Sequence, residues 1–253
     1  MEVTILTNCS NIYLPQITMA LSHSLTLPPT LMVIGGRAPK KGWLASVVES
    51  NNIETIIAAD RGLDALRCDG IVPTLMMGDD DSVSDDALTW ANEKNIIKEK
   101  FSVEKDYTDT QLVLQKIKAD SVRNGNSEHS APFVIMAASF GGRLDHALAN
   151  VFSLIGSGLD GMMADDREML LVMRQNDEVS VRLDSAPLAI SLIALSPICD
   201  GVTITGTHWP LHDAVLKAYE PYAVSNKLKK ESDGTFTVAL KNGILGLYIC
   251  LNQ

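Results

Sequence analysis

The first part of the chain alternates short apolar runs with segments of helical periodicity. The apolar runs span residues 31–34, 53–59, 75–77 and 133–138, and a glycine or an aspartate follows each of them closely. Uninterrupted apolar runs of this length are typical of parallel strands that are buried on both faces. Helical segments lie between and after them, at residues 43–50, 62–68, 85–94 and 108–123 and from residue 144 onwards. This alternation predicts an N-terminal α/β domain with a mostly parallel sheet and helices on its faces.

Two of the helical segments carry specific signals. Thr108 is followed three residues later by Gln111, which is the pattern of a capping box at a helix start. The helix that begins near residue 144 has the clearest apolar face of the chain, which consists of Leu144, Leu148, Val151, Phe152 and Ile155. We therefore predict an amphipathic helix at this position.

After about residue 165 the periodicity changes from helical to alternating. The segments 178–183, 188–195, 201–205, 235–240 and 244–251 resemble strands, and only a short stretch near 214–219 remains helical in pattern. Asn242 and Gly243 separate the last two segments and predict a hairpin between them. We predict a C-terminal all-β sandwich at residues 161–253, preceded by the α/β domain at residues 1–160.

Composition and charge restrict the class of protein. The chain is 46% hydrophobic and 21% charged, as in ordinary globular proteins, and its formal net charge is −10. An acidic protein without a basic patch repels a phosphate backbone, so we expect no nucleic-acid partner. No apolar run is long enough for a membrane helix, and no signal peptide is recognisable. The four cysteines form no metal or disulfide pattern, so we expect a cytoplasmic protein without a membrane partner.

Polar clusters follow the predicted strands at their carboxyl ends, where open α/β sheets bind ligands. The sharpest cluster places Asp79, Asp80 and Asp81 directly after the run at 75–77. In an extended segment Asp79 and Asp81 point to the same side, and two adjacent carboxylates favour a cation between them. Mg²⁺ prefers such oxygen ligands. The alternative for an acidic triplet alone is a solvated loop with a helix cap at Ser82 or Ser84, but the position directly after a buried strand favours a site.

Four further clusters lie at comparable places. Lys105, Asp106 and Asp109 surround the predicted start of a helix, where capping alone accounts for only part of the set. Gly141-Gly142-Arg143-Leu144-Asp145-His146 combines two glycines with an arginine that could bind phosphate bidentately. Asp60-Arg61-Gly62 ends another strand, and Gly35-Gly36-Arg37 gives the weakest signal, since Gly-Gly is a common turn.

Together these clusters indicate Mg²⁺-assisted phosphoryl or pyrophosphoryl transfer. In that chemistry metal ions neutralise a polyphosphate, cationic side chains hold its oxygens, and catalysis is chiefly positioning. The chain has no P-loop, no protein-kinase loop set and no Gly-x-Ser-x-Gly elbow. A nucleoside triphosphate would therefore be bound by an unusual fold.

Six ordered motifs resemble the thiamine pyrophosphokinase family. They lie at residues 58–62, 78–82, 105–109, 141–146, 206–211 and 225–226. The resemblance implies transfer of the pyrophosphoryl group of ATP to the hydroxyethyl oxygen of thiamine, which gives thiamine diphosphate and AMP, with Mg²⁺ as cofactor. It also implies a homodimer in which each thiamine lies between the α/β domain of one subunit and the β domain of the other.

The resemblance also implies roles for single residues. The catalytic set comprises Asp60, Asp79, Asp81, Asp106, Asp109, Arg143 and Asp145, of which Asp79, Asp81 and Asp109 would bind Mg²⁺. The nucleotide would contact Gly35, Gly36, Gly78, Lys105 and Arg143, and thiamine would contact Trp209, Ser225 and Asn226. Arg61, which the family pattern does not contain, could add a further contact to the nucleotide phosphates or merely offset the charge of Asp80. A tryptophan face attracts a flat aromatic cation such as thiamine, and Ser225 and Asn226 could hydrogen-bond its aminopyrimidine edge. Without the resemblance, Trp209 would be interpreted as a packing aromatic and Ser225-Asn226 as a turn.

Two departures from the family pattern and two alternative functions remain. Asp80 replaces a usually apolar residue between the paired carboxylates, and Arg61 replaces a usual glycine. Both changes are expected to affect metal affinity or the preference for a particular nucleotide donor more than the type of reaction. The alternatives are an Mg²⁺-dependent nucleotide phosphohydrolase, in which Trp209 would have no role, and a thiamine or nucleotide sensor without catalysis.

Overall fold

The computed structural model describes residues 9–78, 81–100, 107–123 and 131–252. The helices are α1 (Trp43–Ser50), α2 (Gly62–Cys68), α3 (Asp85–Glu93), α4 (Asp109–Arg123) and α5 (Leu144–Ser157). The strands are β1 (Ser10–Leu14), β2 (Ile17–Leu21), β3 (Thr30–Val33), β4 (Thr55–Ala59), β5 (Leu75–Gly78), β6 (Lys98–Lys100), β7 (Val134–Ala137), β8 (Gly161–Ala164), β9 (Glu168–Met173), β10 (Glu178–Leu183), β11 (Ala189–Ala194), β12 (Ile198–Thr205), β13 (Leu211–Lys217), β14 (Thr235–Ala239) and β15 (Leu245–Cys250). They group into an α/β unit, residues 26–166, and a β unit, residues 9–25 and 167–252.

The α/β unit is built on the parallel sheet that the apolar runs predict. Its strands lie in the order β8-β7-β3-β4-β5-β6, and all five pairings are parallel. Every residue of the neighbouring strands β3 and β7 is buried, as expected for strands covered on both faces. The carboxyl ends of these strands meet at one edge, which is where the acidic and glycine clusters begin.

Local capping fixes where two helices of this unit begin. The backbone N–H of Thr108 donates to Gln111 Oε1 (3.0 Å), and the N–H of Gln111 donates back to Thr108 Oγ1 (3.3 Å). This is the capping box predicted for α4. At α3, Ser84 Oγ accepts the N–H of Ala87 (3.2 Å), which satisfies one of the open donors of the first turn.

Helix α5 has the predicted periodicity, but its apolar stripe does not pack on the sheet. The exposed fractions of Leu144, Leu148 and Phe152 are 74%, 47% and 58%. The buried face carries Asn150, Ser153 and Leu154 instead. Asn150 determines this orientation, because its amide donates to the carbonyl of Ser139 (3.1 Å) and accepts a hydrogen bond from the Thr110 hydroxyl (3.2 Å). The side that carries Asn150, Ser153 and Leu154 therefore faces the protein, and Leu144, Leu148 and Phe152 face outward.

The β unit contains a six-stranded sheet in the order β1-β2-β10-β14-β12-β13 and an antiparallel group in the order β11-β15-β9. Alternating burial in β10 and β14 is typical of a sheet with one covered face. Residues 9–25 belong here and not with the α/β unit, in which the prediction for residues 1–160 placed them. The reason is that β2 pairs with β10 and buries Ile17, Met19 and Leu21.

Two further predictions for this unit were wrong. The segment at 214–219 is not helical, because β13 covers most of it and pairs with β12 through an irregular register. Asn242 and Gly243 do not close a hairpin, since β14 and β15 belong to different groups of strands. The backbone of Asn242 exchanges hydrogen bonds with that of Asp200 on β12, so the turn leads the chain from one group to the other.

Within the part of the chain that the structure describes, no helix combines the length and the apolar character needed to cross a membrane.

Candidate active site

A cavity of about 690 Å³ lies in the α/β unit, at the ends of β3, β4 and β7 and the starts of α4 and α5. We call it the glycine–aspartate cavity. Its walls include Gly35, Gly36, Arg37, Asp60, Arg61, Thr108, Asp109, Ser139, Gly141, Gly142, Arg143, His146 and Asn150. Six residues predicted to bind or convert the nucleotide thus share one cavity, namely Gly35, Gly36, Asp60, Arg61, Asp109 and Arg143.

Backbone geometry brings the loop after β3 against the loop after β7. The N–H of Gly36 donates to the carbonyl of Ala138 and the N–H of Arg37 to that of Phe140, each at 2.7 Å. A Cβ atom on Gly36 would lie 2.4 Å from the Ala138 oxygen, so only glycine fits. Ala138 itself has a φ of +52°, which is strained for an alanine. Such strain at a strand end is a frequent property of ligand sites.

Asp60 is held in an unusual conformation at the end of β4. Its φ is +47°, its N–H donates to the carbonyl of Met77 (3.1 Å), and its own carbonyl accepts the N–H of Leu63 (3.1 Å). A Cβ atom on Gly78 would lie 1.9 Å from Asp60 Oδ1. Gly78, predicted to border the nucleotide, instead makes room for the Asp60 carboxylate and is not among the residues that line the cavity.

Arg143 pairs with Asp145 at the mouth of the cavity. Its Nε donates to Asp145 Oδ1 (3.1 Å), and the exposed fractions of the two side chains are 71% and 62%. The hydrogen bond from the guanidinium holds the pKa of the Asp145 carboxyl below its ordinary value, and the same bond raises the pKa of Arg143. Arg143 lines the cavity, whereas Asp145 does not.

The remaining predicted residues of this region are less well placed or fall outside the described chain. Asp81 is exposed and does not line the cavity. Asp79, Lys105 and Asp106 lie outside the described residues. Among residues 9–78, 81–100, 107–123 and 131–252, no group of three or more histidine, cysteine or acidic side chains is placed to hold a metal ion. Two carboxylates, Asp60 and Asp109, nevertheless share the cavity, and Mg²⁺ bound to a nucleotide commonly uses only one or two.

The sequence patterns missed several polar residues of this cavity. Arg37 belongs to the cluster with the weakest sequence signal, and Thr110, Ser139 and Asn150 belong to none of the polar clusters. The hydroxyl of Ser139 is buried and donates to the carbonyl of Met136 (2.8 Å), while its carbonyl accepts from Asn150. The signal that could have identified Arg37 is its position in the loop after β3, a central strand of the parallel sheet.

A second cavity, of about 530 Å³, lies in the β unit, and we call it the tryptophan cavity. Its walls are Ile190, Leu192, Ile204, Trp209, Leu211, Tyr222, Ala223, Val224, Ser225 and Asn226. All three predicted thiamine contacts are present in this list. The aliphatic side chains come from β11 on one side and from β12 and β13 on the other, so the two groups of strands face each other here.

Hydrogen bonds in this cavity give Asn226 a role that the sequence did not predict. Its Nδ2 donates to the carbonyl of Trp209 (2.7 Å) and to Thr207 Oγ1 (3.2 Å). Its Oδ1 accepts the N–H of Trp209 (3.1 Å) and that of Lys227 (2.9 Å). These four bonds use both N–H groups and both acceptor positions of the amide. Asn226 therefore holds the backbone of Trp209 and has no capacity left for an aminopyrimidine in this conformation.

Ser225 and Trp209 are the parts of this wall that can meet a ligand. Ser225 has a φ of +60°, and its N–H donates to Ser191 Oγ (3.0 Å), so that its exposed side chain is presented at the cavity. The Trp209 ring is 56% exposed and makes an edge contact with the ring of His208, with centroids 4.4 Å apart. Trp209 is therefore held at the wall of the cavity with more than half of its surface exposed.

Comparison with known families assigns both halves of the chain. Residues 48–161 match the family model for the thiamin pyrophosphokinase catalytic domain, and residues 178–245 match that for the thiamin pyrophosphokinase vitamin B1 binding domain. The chain belongs to the thiamine pyrophosphokinase family. The match to the catalytic-domain family model includes most residues that line the glycine–aspartate cavity. The match to the vitamin B1 binding family model includes all residues that line the tryptophan cavity.

Individual thiamine pyrophosphokinases agree with this assignment. Thiamine pyrophosphokinase of Bacillus subtilis (strain 168) is 27% identical over 192 residues, which are 75% of this chain and 84% of that protein. A crystal structure of a Bacillus subtilis thiamine pyrophosphokinase has a TM-score of 0.70 at 20% identity, covering 89% of this chain and 100% of that chain. Thiamin pyrophosphokinase from Candida albicans has a TM-score of 0.67 at 14% identity, covering 88% and 89%. The structural matches show that the thiamine pyrophosphokinase fold is shared.

Proposed function

We propose that the chain transfers the pyrophosphoryl group of ATP to the hydroxyethyl oxygen of thiamine. The bond from the β-phosphorus to the oxygen shared with the α-phosphate breaks, and a bond from the β-phosphorus to the thiamine oxygen forms. The thiamine hydroxyl loses its proton, and the products are thiamine diphosphate and AMP. The observation that carries this proposal is the pair of cavities of contrasting chemistry, each within the unit that matches the corresponding family model.

The glycine–aspartate cavity has the features that a polyphosphate requires. Gly35 and Gly36 allow close approach of a ligand to the backbone, and Arg37, Arg61 and Arg143 supply positive charge. Asp109, at the first residue of α4, is the described residue best placed to hold Mg²⁺, and Asp60 is the second carboxylate of the cavity. Bound Mg²⁺ would neutralise charge on the phosphate oxygens during transfer. Asp79 and Asp81 stay proposed ligands on the strength of the resemblance alone.

The tryptophan cavity has the features that thiamine requires. Its aliphatic walls exclude water from a flat ring, and Trp209 can stack on a cationic aromatic ligand. Ser225 can hydrogen-bond the polar edge of the ring, while Asn226 keeps Trp209 in position. We place the enzyme in the cytoplasm, where the free thiols of its four cysteines would remain reduced.

Product analysis tests the proposed reaction. Purified protein incubated with thiamine, ATP and Mg²⁺ is expected to form thiamine diphosphate and AMP in equal amounts, as measured by chromatography. ADP or inorganic phosphate without thiamine diphosphate would indicate the phosphohydrolase instead. Binding of thiamine without any turnover would indicate the sensor.

Replacement of Trp209 by alanine distinguishes a thiamine pyrophosphokinase from a nucleotide phosphohydrolase. Loss of the indole face should raise KM for thiamine about 2- to 30-fold, the range that corresponds to 0.5–2 kcal/mol of stacking and cation–π attraction. KM for ATP should stay unchanged, because Trp209 belongs to the other cavity. Tyr219→Ala is the matched control, since Tyr219 is an exposed aromatic of the same unit that does not line the cavity. Unaltered thiamine kinetics in the Trp209 variant would remove this residue from the substrate site.

We also propose that the enzyme is a homodimer in which α5 lies in the interface. Leu144, Leu148 and Phe152 form an exposed apolar stripe with the half-buried Val151 and Ile155. Apolar stripes of this kind on a soluble protein commonly mark an interaction surface. A second copy is the occupant that the family resemblance implies. The two stripes would then cover each other.

Substitutions in the stripe test this assembly. The double variant Leu148→Asp/Phe152→Asp should sediment as a monomer at concentrations where the natural chain is a dimer. Each buried side chain of this size contributes about 1.5–3 kcal/mol, so removal of two per copy raises the dimer Kd by more than about 100-fold. Ile97→Asp is the control, because Ile97 is an exposed apolar residue of the same unit outside α5. A natural chain that sediments as a monomer at all accessible concentrations would refute the dimer.

A further inference from the structure

Arg37 occupies a position that neither the family resemblance nor the motif analysis assigns. It follows Gly36 in the loop after β3 and lines the glycine–aspartate cavity. Its Nε and one Nη both donate to Asp165 Oδ2, at 3.0 and 2.5 Å. The Asp165 side chain is completely buried directly after β8, whereas the Arg37 side chain is 25% exposed. A carboxylate inside the protein thus holds one edge of a guanidinium at the cavity wall.

The ion pair between Arg37 and the buried Asp165 is an unusual means of stabilising a loop. Burying a carboxylate is costly, and a buried ion pair is frequently no more stable than apolar side chains of similar volume. The same loop is already fastened by backbone hydrogen bonds from Gly36 and Arg37, and by one from the N–H of Lys40 to Asp166 Oδ1 (3.1 Å). Because these hydrogen bonds already hold the loop, additional stabilisation of the loop does not explain why a charged pair lies at the cavity wall.

Comparison with Arg143 shows what the buried carboxylate achieves. Arg143 is the arginine predicted to face phosphate, but its side chain is 71% exposed and its carboxylate partner is 62% exposed. Such an exposed pair is screened by water and holds its two side chains only weakly. Arg37 has lost most of its side-chain freedom before any ligand arrives, because Asp165 and the close packing of its Cβ against Gly141 fix it. A pre-positioned arginine binds an anion at a smaller entropic cost than a mobile one.

We infer that Arg37 binds a phosphate group of the nucleotide and that Asp165 is the positioning residue that orients its guanidinium. The inference rests on the proposed function, since it takes the polyphosphate of ATP as the ligand of this cavity. Arg37 makes a charge-assisted contact with phosphate oxygen, while Asp165 acts through Arg37 and does not touch the nucleotide. Both side chains belong to the α/β unit, so the contact is complete within one chain.

The test compares nucleotide binding with thiamine kinetics in variants of both residues. Arg37→Met should raise KM for ATP, and the Kd of AMP and ATP measured by titration calorimetry, about tenfold or more, as for loss of one charge-assisted hydrogen bond. KM for thiamine should stay unchanged. Arg37→Lys, which keeps the charge but not the planar fork, should show an intermediate effect. Asp165→Asn should raise KM for ATP in the same direction without changing KM for thiamine.

Arg67→Met is the matched control, because Arg67 is also paired with an aspartate but does not line the cavity. A double variant Arg37→Met/Asp165→Asn should be no worse in ATP binding than Arg37→Met, since Asp165 acts only through Arg37. Unchanged ATP binding in folded Arg37→Lys and Asp165→Asn proteins would overturn the inference and leave the pair a purely structural one. If the natural chain binds ATP but forms no thiamine diphosphate, the proposed function fails, and ATP binding by the variants still decides the role of Arg37.

Discussion

Replacing Asp109 by asparagine is expected to lower kcat about 100-fold or more, with a much smaller change in KM for thiamine. Asp109 is the first residue of α4 and lines the glycine–aspartate cavity. Asparagine keeps the size of the side chain but removes the negative charge with which Asp109 would hold Mg²⁺ in the proposed site. Losing one preorganised electrostatic group from a transferring site commonly costs about 10²–10³ in kcat. Steady-state kinetics at several Mg²⁺ concentrations would measure the effect, and higher Mg²⁺ should partly restore activity.

Asp85→Asn is a closely matched control for this substitution. Asp85 is likewise the first residue of a helix, α3, and is exposed, but it does not line the cavity. Both variants lose the same favourable interaction with the positive end of a helix dipole, which contributes only about 0.3–1 kcal/mol. Their melting temperatures should therefore be similar, whereas only the Asp109 variant should lose activity. Equal activity of the two variants would exclude Asp109 from the metal site.

Replacing Gly62 by alanine is expected to destabilise the α/β unit by about 3 kcal/mol, the upper end of the usual cost of overpacking. A Cβ atom at this position would lie 1.9 Å from the carbonyl oxygen of Val33 and 2.4 Å from its carbonyl carbon. Both are backbone atoms of β3 and cannot turn away, so α2 would have to move from the sheet. For a chain of this size, that loss corresponds to a decrease in Tm of roughly 6–12 °C.

Gly156→Ala tests whether this effect is due to packing or to the loss of a glycine. Gly156 lies inside α5, and no heavy atom lies within 4 Å of the added Cβ. Because Gly156 lies beside the proposed dimer stripe, both variants are compared in the Leu148→Asp/Phe152→Asp background, in which alanine at this exposed helical position should raise stability by up to about 1 kcal/mol. The two variants are thus expected to shift the melting temperature in opposite directions. Similar melting temperatures in calorimetry would show that α2 accommodates the extra methyl group.

The sequence allowed the parallel sheet to be predicted, and with it that several candidate site residues would lie at one edge of that sheet. Continuous apolar runs identify strands buried on both faces, and chemistry at their carboxyl ends follows from the sheet itself. Gly36, Asp60 and Asp109 lie near one another for this reason, although they are remote in sequence. The prediction needed only local patterns and one general rule of topology.

What could not be predicted depends on partners that are distant in sequence. Periodicity showed that α5 is amphipathic but not which side faces the protein, because the hydrogen bonds of Asn150 decide that. The role of Arg37 becomes recognisable only from its hydrogen bonds to Asp165, which is 128 residues away in the sequence. The same holds for Asn226, whose amide could equally have faced a ligand or the backbone of Trp209. A local pattern carries no information about which of these contacts forms.

The N-terminal hairpin, β1 and β2, also affects the order in which the protein can be assembled during synthesis. The ribosome releases this hairpin long before its partner strand β10, which lies more than 150 residues later in the chain. All strands of the α/β unit are synthesised after the hairpin and before β10, so this unit can fold while the hairpin is still without its partner strand. An exposed strand edge during this interval is a site for unwanted pairing between nascent chains. The late closure of the β unit is thus the step of biogenesis at which aggregation competes most directly with folding.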